Sequence, residues 1–297
     1  MPTESAMSAA PPKITIDSHQ HFWRYDAKRD GWITDDMSLL RRDFLPDELD
    51  REFDANGVDG SIAVQADQSE DETLFLLDLA KRNKRIAGVV GWVDLRAPRL
   101  EERLQCFSQF RKLCGFRHIA QAEPDDRFLV GKEFVRGLAR LHEFGFTYDI
   151  LIYPRQLPAA IELVSRLPEQ RFVVDHLAKP AIKAGNREPW STHIRNIAQN
   201  GNVFCKVSGL ATEADWAHWK PEDIFPYLDV VFEAFGPDRL MFGSDWPVCL
   251  LAASYGQVKG VIEAYVEAHA ARHKENVFGS NAVRFYRLKT VSYGLAA

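Results

Sequence analysis

The sequence lacks the features of several large protein classes. None of its 297 residues belong to an apolar run near the roughly 20 residues that cross a bilayer. Residues 1–12 contain neither a basic region nor an apolar run, so they do not have the pattern of a signal peptide. Lys and Arg are scattered and the formal net charge is -5, which disfavours binding to nucleic acid or to a membrane surface. We therefore expect a cytoplasmic protein whose first residues, 1–12, form a flexible tail.

Cysteine is scarce and widely spaced. The four cysteines, Cys106, Cys114, Cys205 and Cys249, have no C-x-x-C spacing, so we expect free, buried thiols in a reducing compartment. Four catalytic or binding motifs are also missing from the sequence: G-x-S-x-G, G-x-x-x-x-G-K-[ST], G-x-G-x-x-G and H-E-x-x-H. Their absence disfavours serine-hydrolase chemistry, phosphate and dinucleotide binding, and a zinc helix.

Short β-branched runs alternate with longer helical patterns along the chain. The runs predict eight strands, at 14–17, 61–65, 86–93, 115–119, 147–153, 171–175, 202–207 and 239–243. The helical patterns lie at 46–55, 72–82, 98–113, 128–144, 157–167, 190–199, 221–235, 255–273 and 275–288. Such alternation predicts parallel pairing, because parallel neighbours need a crossover connection. Eight units predict one α/β domain over 13–297, a (β/α)8 TIM barrel with C-terminal helices; an open doubly wound sheet is the alternative.

Polar residues follow the predicted strands, at the edge where a barrel carries its active site. Four of the nine histidines fall there, His19, His21, His118 and His176, and Asp245 follows the eighth strand. His19 and His21 stand two residues apart on an extended segment, so their side chains point the same way. Such a pair can hold one metal ion or one polarised water. The concentration of these groups at one rim predicts an active site.

Six stretches carry a resemblance to a known family. They are DSHQHFW (17–23), GFRH (115–118), DHLAKP (175–180), KVSGL (206–210), MFGSDWP (241–247) and FGSNA (278–282). The chain resembles the amidohydrolase superfamily and, within it, the sugar-lactonase group of L-fuconolactonases and L-rhamnonolactonases. The resemblance implies an amidohydrolase-type (β/α)8 barrel that hydrolyses a small-molecule sugar lactone, such as L-fuconolactone, to the aldonic acid.

The resemblance also implies roles for single residues. Asp245 matches the family's water-activating aspartate, and His176 matches a histidine of the same site. The family's metal-binding His after the fifth strand and its bridging Lys on the fourth have no counterpart, which argues against a dinuclear centre. His19, His21 and Asp245 remain as ligands for one divalent ion such as Zn²⁺, with His176 or water as a further ligand. Metal-independent activity fits the same residues equally well.

Candidate substrate contacts follow the first, fourth and fifth strands. Arg117, His118 and Gln121 come after the fourth strand and Tyr153 after the fifth, where they can bind the lactone carbonyl or its hydroxyl groups. Trp23 offers an apolar wall for a sugar ring, and core packing is its alternative role.

Two other functions remain open at this stage. One is a zinc-dependent decarboxylase of the same superfamily acting on a small carboxylic acid, which the missing fifth-strand His disfavours. The other is a non-catalytic binding barrel, which the set of Asp245, His19, His21 and His176 disfavours. The sequence does not decide the sugar, the ring size, or whether the protein is a monomer or a homodimer.

Overall fold

Eight short strands form one parallel sheet. The computed structural model describes residues 13–289, so the predicted tail lies outside the described residues. The strands are β1 Ile16–Gln20, β2 Gly60–Val64, β3 Ile86–Gly91, β4 Leu113–His118, β5 Thr147–Ile150, β6 Phe172–Val174, β7 Val203–Val207 and β8 Leu240–Phe242. Each pairs with the next in chain order, and a parallel bridge between Gln20 and Trp246 joins the last strand region to the first. The predicted (β/α)8 barrel is confirmed.

Helices connect the strands and cover the barrel. They are α1 Pro46–Asn56, α2 Glu70–Arg82, α3 Leu100–Phe107, α4 Lys132–Glu143, α5 Leu157–Arg166, α6 Trp190–Ala198, α7 Leu210–Glu213, α8 Pro221–Phe235, α9 Tyr255–His269 and α10 Asn281–Tyr286. Helix α1 ends where predicted, because Gly57 takes the left-handed conformation at φ 63°. The helix predicted at 98–113 is shorter, since Leu113 already begins β4. Within residues 13–289, no helix is long and apolar enough to cross a bilayer.

The last helix closes the amino-terminal end of the barrel. Arg171, which directly precedes β6, donates hydrogen bonds to the carbonyl oxygens of Phe285 and Gly145. Phe285 and Tyr286 pack into one buried cluster with barrel residues Ile16, Ile62, Val64, Val90, Val173 and Met241. The opposite, carboxyl-terminal end carries the polar residues, as the fold requires of an active site.

Asp17 forms hydrogen bonds between the first and last parts of the barrel, where the sheet closes. Its buried carboxylate accepts hydrogen bonds from the Ser244 backbone nitrogen at 2.9 Å, the Ser244 hydroxyl at 2.5 Å and the Tyr255 hydroxyl at 3.1 Å. Burial raises the pKa of Asp17 to about 6, although these donors lower it. The carboxylate therefore joins β1 to the segment after β8 and to α9.

The free cysteines are less uniformly buried than expected. Cys205 and Cys249 are buried, Cys114 is half-buried and Cys106 is exposed. The expectation of a buried thiol was wrong for Cys106, because this residue lies on the outer face of α3, whose core-facing positions are Leu100, Leu104 and Phe107.

Candidate active site

Two histidines and one aspartate meet where β1 and β8 end. His19 lies in β1, which extends to Gln20 rather than to the predicted Asp17. The Nε2 atoms of His19 and His21 are 3.2 Å apart, and Oδ1 of Asp245 lies 3.4 Å from Nε2 of His21 and 3.9 Å from Nε2 of His19. The structure thus brings together the three residues named as metal ligands.

Asp245 reaches this position through a strained backbone conformation. Its φ is 59°, a left-handed value that costs a non-glycine residue about 1–2 kcal/mol. Its backbone nitrogen donates to the carbonyl oxygen of His19 at 2.8 Å, which holds the two residues side by side. Strain of this kind is retained mainly at functional sites.

His176 opens a left-handed turn directly after β6. Residues His176, Leu177, Ala178 and Lys179 all have φ between 51° and 58°. The Lys179 nitrogen donates to the His176 carbonyl oxygen at 2.7 Å, and Nε1 of Trp190 donates to the Leu177 carbonyl oxygen at 2.6 Å. These bonds stabilise a turn that L-residues otherwise avoid.

The turn sets the His176 ring against the other histidines. Its centroid lies 4.3 Å from that of His19, and its Nε2 lies 3.9 Å from Oδ1 of Asp245. Its Nδ1 lies 2.9 Å from the Ser208 hydroxyl. Gly209 makes room for the ring, because a Cβ there would sit 2.6 Å from Nδ1 of His176.

Lys206 is the centre of a buried ionic group beneath the histidines. Its Nζ lies 2.6 Å from Oδ2 of Asp149, 3.0 Å from Oδ1 of Asp175 and 3.1 Å from Nδ1 of His19. Its side chain and those of both aspartates are fully buried. The Tyr286 hydroxyl donates to Oδ2 of Asp149 at 2.8 Å, which connects α10 to the active site.

Arg117, in β4, is a second cation that pairs with this buried ionic group. Nη1 of Arg117 lies 3.1 Å from Oδ2 of Asp175 and 3.3 Å from Nε2 of His19, and its Nη2 donates to the Gln65 carbonyl oxygen. Strand alternation would place the Asp175 side chain opposite that of His176, yet both side chains enter the same cluster. The chain leaves β6 at Val174, so the alternation stops before Asp175.

Hydrogen-bond partners assign the proton on His21 but not on His19. Nζ of Lys206 lies 3.1 Å from Nδ1 of His19 and Nη1 of Arg117 lies 3.3 Å from its Nε2, and both cations can only donate, so both ring nitrogens of His19 face donors. Nδ1 of His21 donates to the Val64 carbonyl oxygen at 2.7 Å, which leaves a lone pair on Nε2. When Nδ1 of His19 carries the proton, that proton faces Oδ1 of Asp175 at 3.4 Å, and the Nε2 lone pair becomes available to Arg117 or to a metal ion.

Burial decides the protonation of the site. It lowers the pKa values of His19, His21 and His176, so these rings are neutral near pH 7. Burial raises the pKa of Asp245, but His176 and His21 outweigh it and the net shift is downward. The site therefore presents one carboxylate base among neutral imidazoles.

Two groups of side chains have a spacing that suits a metal ion. His19, His21 and Asp245 form one and His19, Asp175 and His176 the other, each with ligand atoms within 4.8 Å of one another. Asp175 already pairs with Arg117 and Lys206. The first group is therefore the better ligand set.

Two predicted substrate contacts lie away from this cluster. Nε2 of His118 is 2.7 Å from Oε1 of Glu123, and its Nδ1 accepts from Nε1 of Trp92 at 3.3 Å. Neighbouring strand side chains point to opposite faces, so Arg117 enters the barrel and His118 leaves it. Trp23 is only 1% exposed, and its Nε1 donates to the Arg42 carbonyl oxygen at 2.9 Å. Core packing, its alternative role, is what the structure assigns to Trp23.

Of the other three predicted contacts, Arg117 belongs to the cluster, and Tyr153 and Gln121 lie on loops at the carboxyl-terminal end. The Tyr153 ring is half-buried between the Arg155 guanidinium at 5.2 Å and Nζ of Lys179 at 5.6 Å. The Gln121 backbone nitrogen donates to the Leu151 carbonyl oxygen at 3.0 Å. Its side-chain oxygen is buried and has no hydrogen-bond partner among residues 13–289.

Sequence reasoning missed four residues of the site and its surroundings. They are Gln65, Lys179, Glu213 and Tyr286. Lys179 belongs to a stretch that carried the resemblance, which was a usable signal. Nothing in the sequence pattern places Tyr286 in the barrel, because its contact with Asp149 spans 137 positions.

Comparison with known proteins assigns the chain to a family. The sequence profile of the Amidohydrolase family matches residues 16–288, and the protein belongs to that family. It is 46% identical over 288 residues to the L-fucono-1,5-lactonase of Burkholderia multivorans, covering 93% of this chain and 96% of that protein. It is 36% identical over 279 residues to the L-fucono-1,5-lactonase of Burkholderia ambifaria, covering 92% of this chain and 95% of that protein.

Solved structures agree with this assignment. An amidohydrolase from Burkholderia multivorans with bound zinc has a TM-score of 0.89 at 45% identity, covering 93% of this chain and all of that one. Two solved decarboxylases, from a Polaromonas species and Sphingomonas paucimobilis, have TM-scores of 0.67 and 0.61 at 12% and 16% identity. A likeness at that level shows the fold alone.

Proposed function

We propose that this protein is a hydrolase that opens a sugar lactone to the aldonic acid, with L-fucono-1,5-lactone as the first substrate to test. The observation that carries the proposal is the convergence of His19, His21 and His176 on Oδ1 of Asp245, at 3.4–3.9 Å. The two L-fucono-1,5-lactonase relatives support the substrate class.

The proposed reaction uses Asp245 as the base. Its distances to the three imidazoles exceed a normal hydrogen bond, so the lone pairs of its Oδ1 remain available to a water that donates to it. Asp245 takes a proton from that water as the hydroxide adds to the lactone carbonyl carbon. The charge of Arg117 stabilises the developing oxyanion. Asp245 then returns its proton to the ring oxygen as the carbon–oxygen bond breaks, and the aldonic acid ionises.

The same residues fit one divalent metal ion such as zinc. His19, His21 and Asp245 would hold it, since Nδ1 of His21 is fixed on the Val64 carbonyl and its Nε2 lone pair faces Asp245. Two imidazoles and one carboxylate are a ligand set that zinc accepts, and a bound ion would lower the pKa of a coordinated water. The base role of Asp245 stands in either case.

The decarboxylase alternative has less support. No histidine follows β5, where Ile152 and Tyr153 stand, and the decarboxylases that share the fold are distant.

We propose carbohydrate catabolism in the cytoplasm as the setting of the reaction. The partner is a small-molecule lactone, and Tyr153, Gln121 and Arg117 lie near it.

The experiment is a lactone panel read with a pH indicator, because ring opening releases acid. Purified protein is assayed with fucono-, rhamnono-, galactono- and arabinono-lactones, with and without zinc. Rates are corrected for spontaneous hydrolysis, and aromatic carboxylates are tested for carbon dioxide release. We expect hydrolysis of at least one lactone above background and no decarboxylation. Absence of hydrolysis across the whole panel would overturn the proposal.

A further inference from the structure

A partly open ion pair lies beside the active site. Nζ of Lys179 is 3.6 Å from Oε1 of Glu213, and their side chains are 20% and 22% exposed. Lys179 ends the left-handed turn that begins at His176, and Glu213 ends the short helix α7. The loops after β6 and β7 therefore contribute one charge each to the carboxyl-terminal face.

The pair lies on the two loops that flank His176. The turn that ends at Lys179 begins at His176, whose Nε2 lies 3.9 Å from Oδ1 of Asp245. Gly209 directly abuts the His176 ring, and Glu213 follows four residues later. Both members of the pair therefore lie close in the chain to residues that position the His176 ring.

The donors of Lys179 are not saturated. A separation of 3.6 Å from Glu213 is longer than a hydrogen bond, and the Tyr153 ring centroid is 5.6 Å from Nζ. Among residues 13–289, no hydrogen bond from Nζ of Lys179 accompanies these two contacts. An ammonium offers three donors, so this one can bind a polar group without losing a protein partner.

We propose that Lys179 and Glu213 form a hydroxyl-recognition pair for the sugar ring. A hydroxyl oxygen accepts from the ammonium while the same hydroxyl donates to the carboxylate, and the Tyr153 ring packs against adjacent C–H groups. This inference rests on the proposed lactonase function and adds the residues that recognise a hydroxyl group of the substrate.

The chemistry of the substrate class favours this arrangement. A lactone is neutral, so a pair of opposite charges matches it without an electrostatic penalty. A hydroxyl is both donor and acceptor, which only a site with one donor and one acceptor satisfies fully. Sites that hydrogen-bond a hydroxyl reject analogues that lack it, because their own polar groups are then left unpaired.

The experiment compares two substrates in two variants. K179M and E213Q are assayed with the best aldonolactone of the panel and with an unsubstituted lactone of the same ring size, δ-valerolactone or γ-butyrolactone. We expect kcat/KM for the aldonolactone to fall about 10- to 100-fold, mostly through KM. The unsubstituted lactone should change less than about threefold, since it has no ring hydroxyl to lose.

A matched control comes from the same two loops. Lys183 pairs with Asp215 at 3.2 Å, and its side chain is 69% exposed. K183M should therefore leave both substrates unaffected. Melting temperatures of all variants report on folding, and K179M keeps the aliphatic stem of the lysine.

Each result decides a separate question. Equal losses on both substrates would assign the pair to catalysis or folding and overturn the inference, as would no loss on either. If the wild type turns over the unsubstituted lactone too slowly, its inhibition constant against the aldonolactone gives the same comparison. Failure of the wild type on every aldonolactone would instead overturn the proposed function.

Discussion

Lys206 in β7 lies 3.1 Å from Nδ1 of His19 in β1, with its charge divided between Asp149 and Asp175. The contact joins His19 to the buried ion group, whose second cation, Arg117, lies 3.3 Å from Nε2 of the same ring. Because Tyr286 donates to Asp149, a residue of the last helix takes part in this arrangement from the opposite end of the barrel.

Removing the Tyr286 hydroxyl tests that connection. Y286F should lower the free energy of unfolding by about 1–2 kcal/mol, because Asp149 loses a buried donor. It should also lower kcat severalfold, because the ion group that holds His19 relaxes. Urea unfolding and steady-state kinetics measure the two effects.

Tyr265 supplies the matched control, since its hydroxyl donates to Asp229 at 2.7 Å far from the site. Y265F should destabilise the protein and leave kcat unchanged. If Y286F also leaves kcat unchanged, the connection between α10 and His19 has no catalytic role.

Replacing the proposed base should abolish most turnover. In D245N the amide cannot accept a proton from water, so kcat should fall about 10²- to 10⁴-fold with little change in melting temperature. The exposed helix residue Asp78 gives the control variant D78N, which should retain wild-type kcat. A near-normal kcat in D245N would show that another group is the base.

Gly209 tests how closely the backbone approaches His176. G209A places a methyl group 2.6 Å from Nδ1 of His176 at a residue whose φ is 67°, so we expect both lower stability and at least a tenfold lower kcat. Gly260, inside α9, has nothing within 4 Å of a built Cβ. G260A should stabilise the protein by about 0.5–1 kcal/mol without affecting kcat. Equal activity of both variants would contradict the packing argument.

Glu72 makes stability depend on pH. It is 5% exposed and accepts from the Ala66 nitrogen at 3.2 Å, and burial raises its pKa from 4.5 to about 7. A raised pKa means that the folded state binds the proton more tightly, so the stability from this group is present below pH 4.5 and lost as the pH rises towards 7. The loss is about 3 kcal/mol at most.

The variant E72Q is neutral at every pH and should avoid this loss. Urea unfolding should give it stability similar to the wild type at pH 5 and greater stability at pH 8. The control E70Q removes the surface ion pair with Arg103 and should change the free energy of unfolding by the same small amount at pH 5 and at pH 8. A difference between E72Q and the wild type that does not grow with pH would refute the buried-charge argument.

Metal binding can be tested apart from activity. Zinc should raise the melting temperature of the wild type and be retained at about one ion per chain, because a ligand that binds only the folded state stabilises it. H21Q should lose most of this shift, whereas H218Q, an exposed histidine on the loop after α7, should retain it. Equal shifts in both variants would exclude His21 as a ligand.

The sequence was most informative where local pattern is enough. Alternating strands and helices predict eight parallel strands, and eight is the number of strands in a (β/α)8 barrel. Spacing of two residues on an extended segment places His19 and His21 on one side, and their Nε2 atoms lie 3.2 Å apart. The same rule says that only one of Arg117 and His118 enters the barrel, but local spacing cannot say which.

Tertiary structure decided the rest. Which face of β4 is interior depends on how the sheet closes, and this puts Arg117 in the site and His118 outside it. The left-handed turn after β6 ends strand alternation and brings Asp175 and His176 into one cluster, a conformation that L-residues adopt only when surrounding packing enforces it. Lys206, Asp149 and Tyr286 meet because distant segments share one buried interior, where each charge needs a partner. The sequence by itself determined the barrel and the residue types at its rim, whereas tertiary packing decided which of them face the substrate.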